Sequence, residues 1–442
     1  MSEEPSEETS KEKAKPSSAP DVPQPITEKP AEAPPDKPKE EEKASFVFPN
    51  YMPTQQAGDT GVMFDFTCGA RIMLPPDSTR KLHCVLLETS TGTVLNDSTL
   101  KPGYCVSCSK KYYMEYKLII GDEDTHGILF EHTFNLKDQD VLVQMPYEGA
   151  VGDSIAWFSA IEPFRLKTGA KVHVLMPPHI QEIFEKQYPN LTFETKESAE
   201  KLRPYAAYYL GLFFKGDEDW QPYDFRFTSL HGTAASILGM DDCQLEHPLV
   251  DKGERPADRT RPYVCIATHG SSNAKHWCNP AGWRVLTRYL NECGYDVVCI
   301  DKTPEVGFGD VWHSIPHGCI DDTGPKSLQQ RIATISHAAF FIGLSSGLSW
   351  LAWCCDVPVV LISGFTLPVC EFQTPYRVIC RHACHGCWND TRYDFDHHDF
   401  MWCPKHKGTQ RAFECTKLIS PNLVIEAIRR IPGVPQHPSD RK

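Results

Sequence analysis

Four cysteines toward the C-terminal end of the chain have the spacing of a metal site: Cys384-x2-Cys387-x15-Cys403-x11-Cys415. Two thiolates three residues apart converge on one ion. Two further cysteines complete a closed S4 set with no open position for a substrate. Tetrahedral sulfur suits zinc or iron, and the residues do not choose between them. The intervening stretch from Asn389 to Asp399 is polar and loop-like, so a metal is expected to supply stability that a core cannot. The competing readings are four buried thiols or a redox C-x-x-C pair. His382, His385, His397, His398 and His406 lie near enough in sequence to compete as ligands. A second pair, Cys105-x2-Cys108, lacks another half-site and reads as two ordinary thiols.

Three turns carry residue types suited to other chemistry. In Gly149-Ala150-Val151-Gly152-Asp153 the acid stands at a helix start. There it either caps free backbone amides or accepts a proton from a hydroxyl. In Thr268-His269-Gly270-Ser271-Ser272-Asn273-Ala274-Lys275-His276-Trp277, amides and hydroxyls could cradle phosphate with Lys275 as a point charge. The Walker spacing is absent, and an ordinary solvated loop is the alternative. In Gly343-Leu344-Ser345-Ser346-Gly347-Leu348-Ser349-Trp350 the Ser-Ser-Gly opens a helix whose first amides are free for an anion. Two anion-binding turns in one half-domain suggest a diphosphate, hence a nucleotide or nucleotide-sugar.

The elements that must position these turns alternate. Runs such as Val141–Met145, Lys171–Met176, Tyr263–Ala267, Asp296–Ile300, Ala339–Gly343 and Pro358–Ile362 read as buried strands. Helical spacing between them (Ser154–Phe164, Pro178–Gln187, Asn279–Cys293, Ser327–His337, Gly347–Cys355) predicts α/β units with parallel sheets. Ligands in such folds sit at the carboxyl ends of strands, where all three turns lie. Upstream, residues 46–140 read as a small antiparallel β module with strand-like runs at His83–Leu87, Tyr112–Tyr116 and Gly127–Phe130. Residues 1–45 hold nine Pro, twelve Asp or Glu, seven Lys and no aromatic, and predict a disordered tail. The expected boundaries are therefore 1–45 tail, 46–140 β module, 141–258 first Rossmann-like domain, 259–380 second Rossmann-like domain, 381–417 metal knuckle, and 418–442 C-terminal helix and tail.

The net charge of −13 and the lack of a basic, aromatic-rich run argue against nucleic acid. No stretch of about eighteen apolar residues predicts a membrane span. Met1-Ser2-Glu3-Glu4 lacks the pattern of an export signal, and eighteen cysteines then read as reduced thiols in a cytoplasmic protein.

Taken in order, the turns resemble the heptosyltransferase clan of B-type glycosyltransferases. The clan carries a Gly-Asp turn after the first strand, a Ser…Lys-x-Trp segment opening the second domain, and a Gly-x-x-[ST]-Gly-Leu-x-x-x-Ala-x-x-x-x-x-Pro stretch, here Gly343 to Pro358. Asp322–Leu328 and, more loosely, Ala234–Gly239 also match. Lipopolysaccharide heptosyltransferases usually show Asp-[ST]-Gly-Leu-x-His where this chain has Ser345-Ser346-Gly347-Leu348-Ser349-Trp350, and they lack the β module and cysteine cluster. These additions resemble the bacterial autotransporter heptosyltransferases, which move heptose from ADP-heptose to Ser or Thr hydroxyls of adhesins. The resemblance implies a B-type fold with two Rossmann-like domains facing a cleft. It implies Asp153 as general base of an inverting displacement and Lys275 as the group neutralising the departing diphosphate. Ser271, Ser272, Ser346, Gly347, Leu348 and Ser349 would line the donor, and Asp301 would take ribose hydroxyls. It further implies iron in the knuckle, an autotransporter passenger as acceptor, and a large homo-oligomer.

Overall fold

A computed structural model describes residues 46–241 and 245–434. The expected tail, 1–45, and the end of the expected last segment, 435–442, lie outside the described residues.

Two antiparallel sheets come first. β1 (Gln55–Gln56), β2 (Met63–Asp65), β3 (Arg71–Met73) and β6 (Cys105–Ser107) form one in that order. β5 (Val94–Leu100), β4 (Leu82–Glu88), β7 (Tyr116–Asp122) and β8 (Ile128–Thr133) form the other. The period-two alternation is visible in β4, where Leu82, Cys84 and Leu86 point inward between half-buried neighbours. Tyr112–Glu115 departs from expectation, because the strand begins only at Tyr116. The amides of Lys111 and Tyr113 donate to Asp219 O and Ile237 O, each at 2.8 Å, so this stretch is tied to the next part of the chain instead of a sheet.

The next sheet is wholly parallel: β9 (Asp140–Gln144), β10 (Lys171–Leu175), β11 (Thr192–Glu194) and β12 (Ala206–Tyr209), in the order β11-β10-β9-β12. Phe66 of the module reaches it through its backbone. Phe66 N donates to Tyr205 O at 2.8 Å, and Ala207 N donates to Phe66 O at 3.2 Å, bridging the free edge of β12. The Phe66 ring packs on Tyr116, Phe134 and Tyr205. From the other side, the Gln144 side chain exchanges two 2.8 Å hydrogen bonds with the backbone of Val47.

The second parallel sheet holds β13 (Tyr263–Ile266), β14 (Asp296–Cys299), β17 (Ile320–Asp321), β18 (Phe341–Leu344), β19 (Val359–Ile362) and β20 (Arg377–Val378). Its order, β17-β14-β13-β18-β19-β20, is that of a doubly wound sheet, which reverses between β13 and β18. All four residues of β13, β18 and β19 are buried, as strands covered on both faces require. A hairpin, β15 (Glu305–Phe308) with β16 (Val311–Ser314), interrupts the alternation and was not expected, nor was β12.

Helices α1 (Val151–Phe158) and α2 (Ile161–Thr168) replace the single helix expected over Ser154–Phe164. Pro163 has no amide to bond the preceding turn, so the chain stops and restarts with Pro163 in a first turn. α3 (Pro178–Gln181), α4 (Lys196–Lys201), α5 (Leu230–Ile237), α6 (Gly282–Glu292) and α7 (Leu328–Ser336) follow. α7 opens on a capping box of Ser327 with Gln330. α8 (Gly347–Cys354), α9 (Glu414–Lys417) and α10 (Pro421–Arg429) complete the set. Among the described residues, no helix is long and apolar enough to cross a membrane.

Candidate active site

The three turns singled out by sequence meet. α1 follows β9, the Lys275 loop follows β13, and α8 follows β18, so the last two flank the point of strand reversal. α1 and α8 touch through glycines. A Cβ on Gly152 would stand 3.0 Å from Gly347 Cα, and one on Gly347 would stand 3.0 Å from Gly152 N. Gly347, expected at the donor, thus permits close approach of two helix starts.

Asp153 is the third residue of α1, whose N-cap is Ala150, and it makes no capping bond. Burial raises its pKa, and the charge of Lys275 opposes that without cancelling it. Burial lowers Lys275 in turn, opposed by Asp153 and then Glu371. The Lys275 ammonium donates to Ser271 Oγ at 3.2 Å and lies 5.5 Å and 5.9 Å from the ring centroids of Phe365 and Phe395.

Polar atoms without hydrogen-bond partners gather at these strand ends. They are Ser154 Oγ on α1, Ser346 Oγ at the N-cap of α8, and both ring nitrogens of His269 after β13. Leaving such atoms buried and unbonded costs about 1–3 kcal/mol each, so they fit a polar ligand between the turns. Nothing in the spacing of the chain marks His269.

Other expected donor residues have structural partners. Ser272 is buried, and its hydroxyl donates to Phe400 O at 3.3 Å. Ser349 Oγ donates to Leu344 O at 2.6 Å. Leu348 is half-buried against the core. Asp301, expected at the ribose, bonds to the turn after β13. It is 2% exposed, and its carboxylate accepts from Thr268 N (2.7 Å), Thr268 Oγ1 (2.9 Å) and His269 N (3.2 Å). It fixes the turn after β13.

The knuckle forms a wall of the same site. Phe400 O accepts the amide of Asn273 at 2.9 Å as well as the Ser272 hydroxyl. Ala274, Phe365, Cys387, Trp402, Cys403 and Phe413 share one core cluster, with Trp388 and Phe395 against it. The stretch expected to be poor in apolar contacts is therefore pinned by aromatic rings. Cys387, Cys403 and Cys415 are buried and Cys384 is half-buried. Burial raises the Cys415 thiol, and Cys384, Cys387 and Cys403 each raise it further, so the four sulfurs lie within one another's field. Gly386, at φ +70°, makes the left-handed turn between the first two cysteines. Among the described residues, the candidate ligand atoms within 4.8 Å of one another are those of Cys384, His406 and Glu414, a group that takes in one of the four cysteines. Arg411 engages Glu414 through two bonds of 2.7 Å and 2.8 Å, and of the five histidines His406 is the one in this group. Cys105 and Cys108 are free thiols.

The family profile of glycosyltransferase family 9 (heptosyltransferase) matches residues 237–387, and that of the N-terminal domain of glycosyltransferase TibC matches residues 58–124. The chain is 42% identical to the autotransporter heptosyltransferase Aah of Escherichia coli, over 88% of this chain and 97% of that one. It is 37% identical to BimC of Burkholderia thailandensis, described as an inactive autotransporter heptosyltransferase, over 87% of this chain and 89% of that one. The crystal structure of the iron-containing dodecameric glycosyltransferase TibC from enterotoxigenic E. coli is similar with TM-score 0.81 and 41% identity, covering 87% of this chain and 99% of that one. A second crystal structure of TibC, in complex with ADP-D-beta-D-heptose, matches equally well. The α/β glycosyltransferase fold is common to this chain and TibC.

Proposed function

Because the chain belongs to the autotransporter heptosyltransferase family, we propose that it transfers heptose from ADP-heptose to Ser or Thr hydroxyls of an autotransporter passenger in the cytoplasm. The fold is read as B-type, with the two Rossmann-like domains facing a cleft. The observation that carries the reading is Asp153, whose charge and that of Lys275 act on each other, on a helix whose start touches the start of α8.

Asp153 takes the proton of the acceptor hydroxyl as its oxygen attacks the anomeric carbon from the face opposite the diphosphate. The carbon–oxygen bond to the diphosphate breaks, and configuration inverts. Lys275 and the first amides of α8 receive the charge that develops on the leaving group. Ser271 and Ser346 offer hydroxyls to the same oxygens. The four cysteines of the knuckle would hold one structural ion, with iron favoured by the composition of TibC. Bound there, it would tie down the wall against which Lys275 rests. Assembly into a large homo-oligomer is read from TibC in the same way.

The inactive relative makes a non-catalytic member of the family the second reading. Co-expression with an autotransporter passenger, followed by mass spectrometry of that passenger, separates the two. Heptose adducts with the natural chain and none with Asp153→Asn support transfer. Adducts absent from both support the non-catalytic reading.

A further inference from the structure

Behind the Ser345–Ser346 turn lies a buried carboxylate that the transfer chemistry above does not use. Glu371 is 3% exposed, in the loop between β19 and β20. Its Oε1 accepts from Ser345 Oγ and from Thr366 Oγ1, the latter at 2.5 Å. Its Oε2 accepts from Arg377 Nη1 at 2.9 Å. Ser345, the first serine of the turn, is thus gripped by a carboxylate 26 positions on.

We propose that Glu371 is a positioning residue for transfer: its carboxylate, anchored by Arg377, holds the turn that opens α8 and keeps a negative charge beside Lys275. The inference rests on reading Lys275 as the group that meets the diphosphate. The charged and titratable groups that act on Lys275 or feel its charge are Asp153 from α1, Glu371 from this loop, His397 from the knuckle and His276 from its own loop. Burial lowers both histidines, His276 to about 3, so they are neutral at the alkaline end of an activity profile. Two negative neighbours then support the ammonium against its burial, and Glu371 is the one free of proton transfer.

The test is the pH profile of kcat/KM for ADP-heptose, measured on the full chain at saturating acceptor. Glu371→Gln should move the alkaline limb down by about one pH unit, because a neutral neighbour lets Lys275 lose its proton sooner. The donor KM should rise more than kcat falls. The double variant Glu371→Gln with Arg377→Met leaves no unpaired buried charge, and should fold and show the same displaced limb. A merely structural pair would lower activity in step with the folded fraction and leave the limb in place, which overturns the proposal. Failure of both variants to fold, judged by thermal melting, overturns it equally. Lys275→Met tests the underlying reading. Retained transfer there sinks the role of Lys275, whereas loss of transfer with an unmoved limb in Glu371→Gln sinks only the role of Glu371.

Discussion

Replacing Asp153 by Asn separates catalysis from stability with opposite signs. The carboxylate caps nothing, and its pKa is raised by burial despite Lys275, so its ionisation is a net cost to the fold at neutral pH. The sign follows from linkage. A raised folded-state pKa gives stability that is fully present below the unfolded value and is lost as pH rises through the folded one. Asparagine has nearly the same shape and no charge to bury. The variant should therefore melt no lower than the natural chain at pH 7, with any gain vanishing under acid conditions. Transfer should fall by about 10²–10⁴ in kcat with little change in donor KM, equivalent to about 2.7–5.5 kcal/mol of transition-state stabilisation. In the natural chain kcat/KM should be bell-shaped, with the acid limb above the ordinary Asp value and the alkaline limb below the ordinary Lys value. The two limbs belong to the pair and not to either residue alone. Melting curves by calorimetry and initial rates with ADP-heptose measure both effects. A variant that loses melting temperature and activity together, or that keeps more than a tenth of its kcat, refutes the assignment.

Further outcomes are expected elsewhere in the site. Cys387→Ser should lose bound metal by elemental analysis and raise the donor KM, since the knuckle wall carries Phe395 and the Phe400 carbonyl that brace the Lys275 loop; unchanged donor titrations in metal-free protein would contradict this. Gly152→Ala puts a Cβ 3.0 Å from Gly347 Cα and from Trp350 Cδ1, and should cost about 1–3 kcal/mol in chemical denaturation while impairing transfer. Asp301→Asn should lower stability by about 2–3 kcal/mol through the lost charged acceptor for Thr268 and His269. A selective rise in donor KM without destabilisation would instead support a ribose role.

Much of the site was legible because parallel strands write themselves as unbroken apolar runs, and glycine and serine turns stand at their ends. Tyr263–Ile266 and Phe341–Leu344 are found within two residues of their expected positions, and with them the turns that flank the strand reversal. β12 escaped notice because Ala-Ala-Tyr-Tyr is too short to separate from a loop after Pro204. The hairpin escaped because its rings face outward, Phe308 at 69% and Trp312 at 62% exposure, so no inward period marks it. The bonds of Asp301 to Thr268 and His269 were not legible, because position after a strand says where a carboxylate begins, not what it bonds. Glu371 was illegible for the converse reason: its hydroxyl partner Ser345 lies 26 residues away, and only folding brings them together.

The bridge at Phe66 has a consequence for anyone shortening this protein. Without it, β12 would end its sheet with a bare row of amides and carbonyls, a template onto which another chain could add a strand. Residues 46–140 thus act partly as an edge guard. Deleting them should produce aggregation through strand addition, well before any question of lost recognition could be asked.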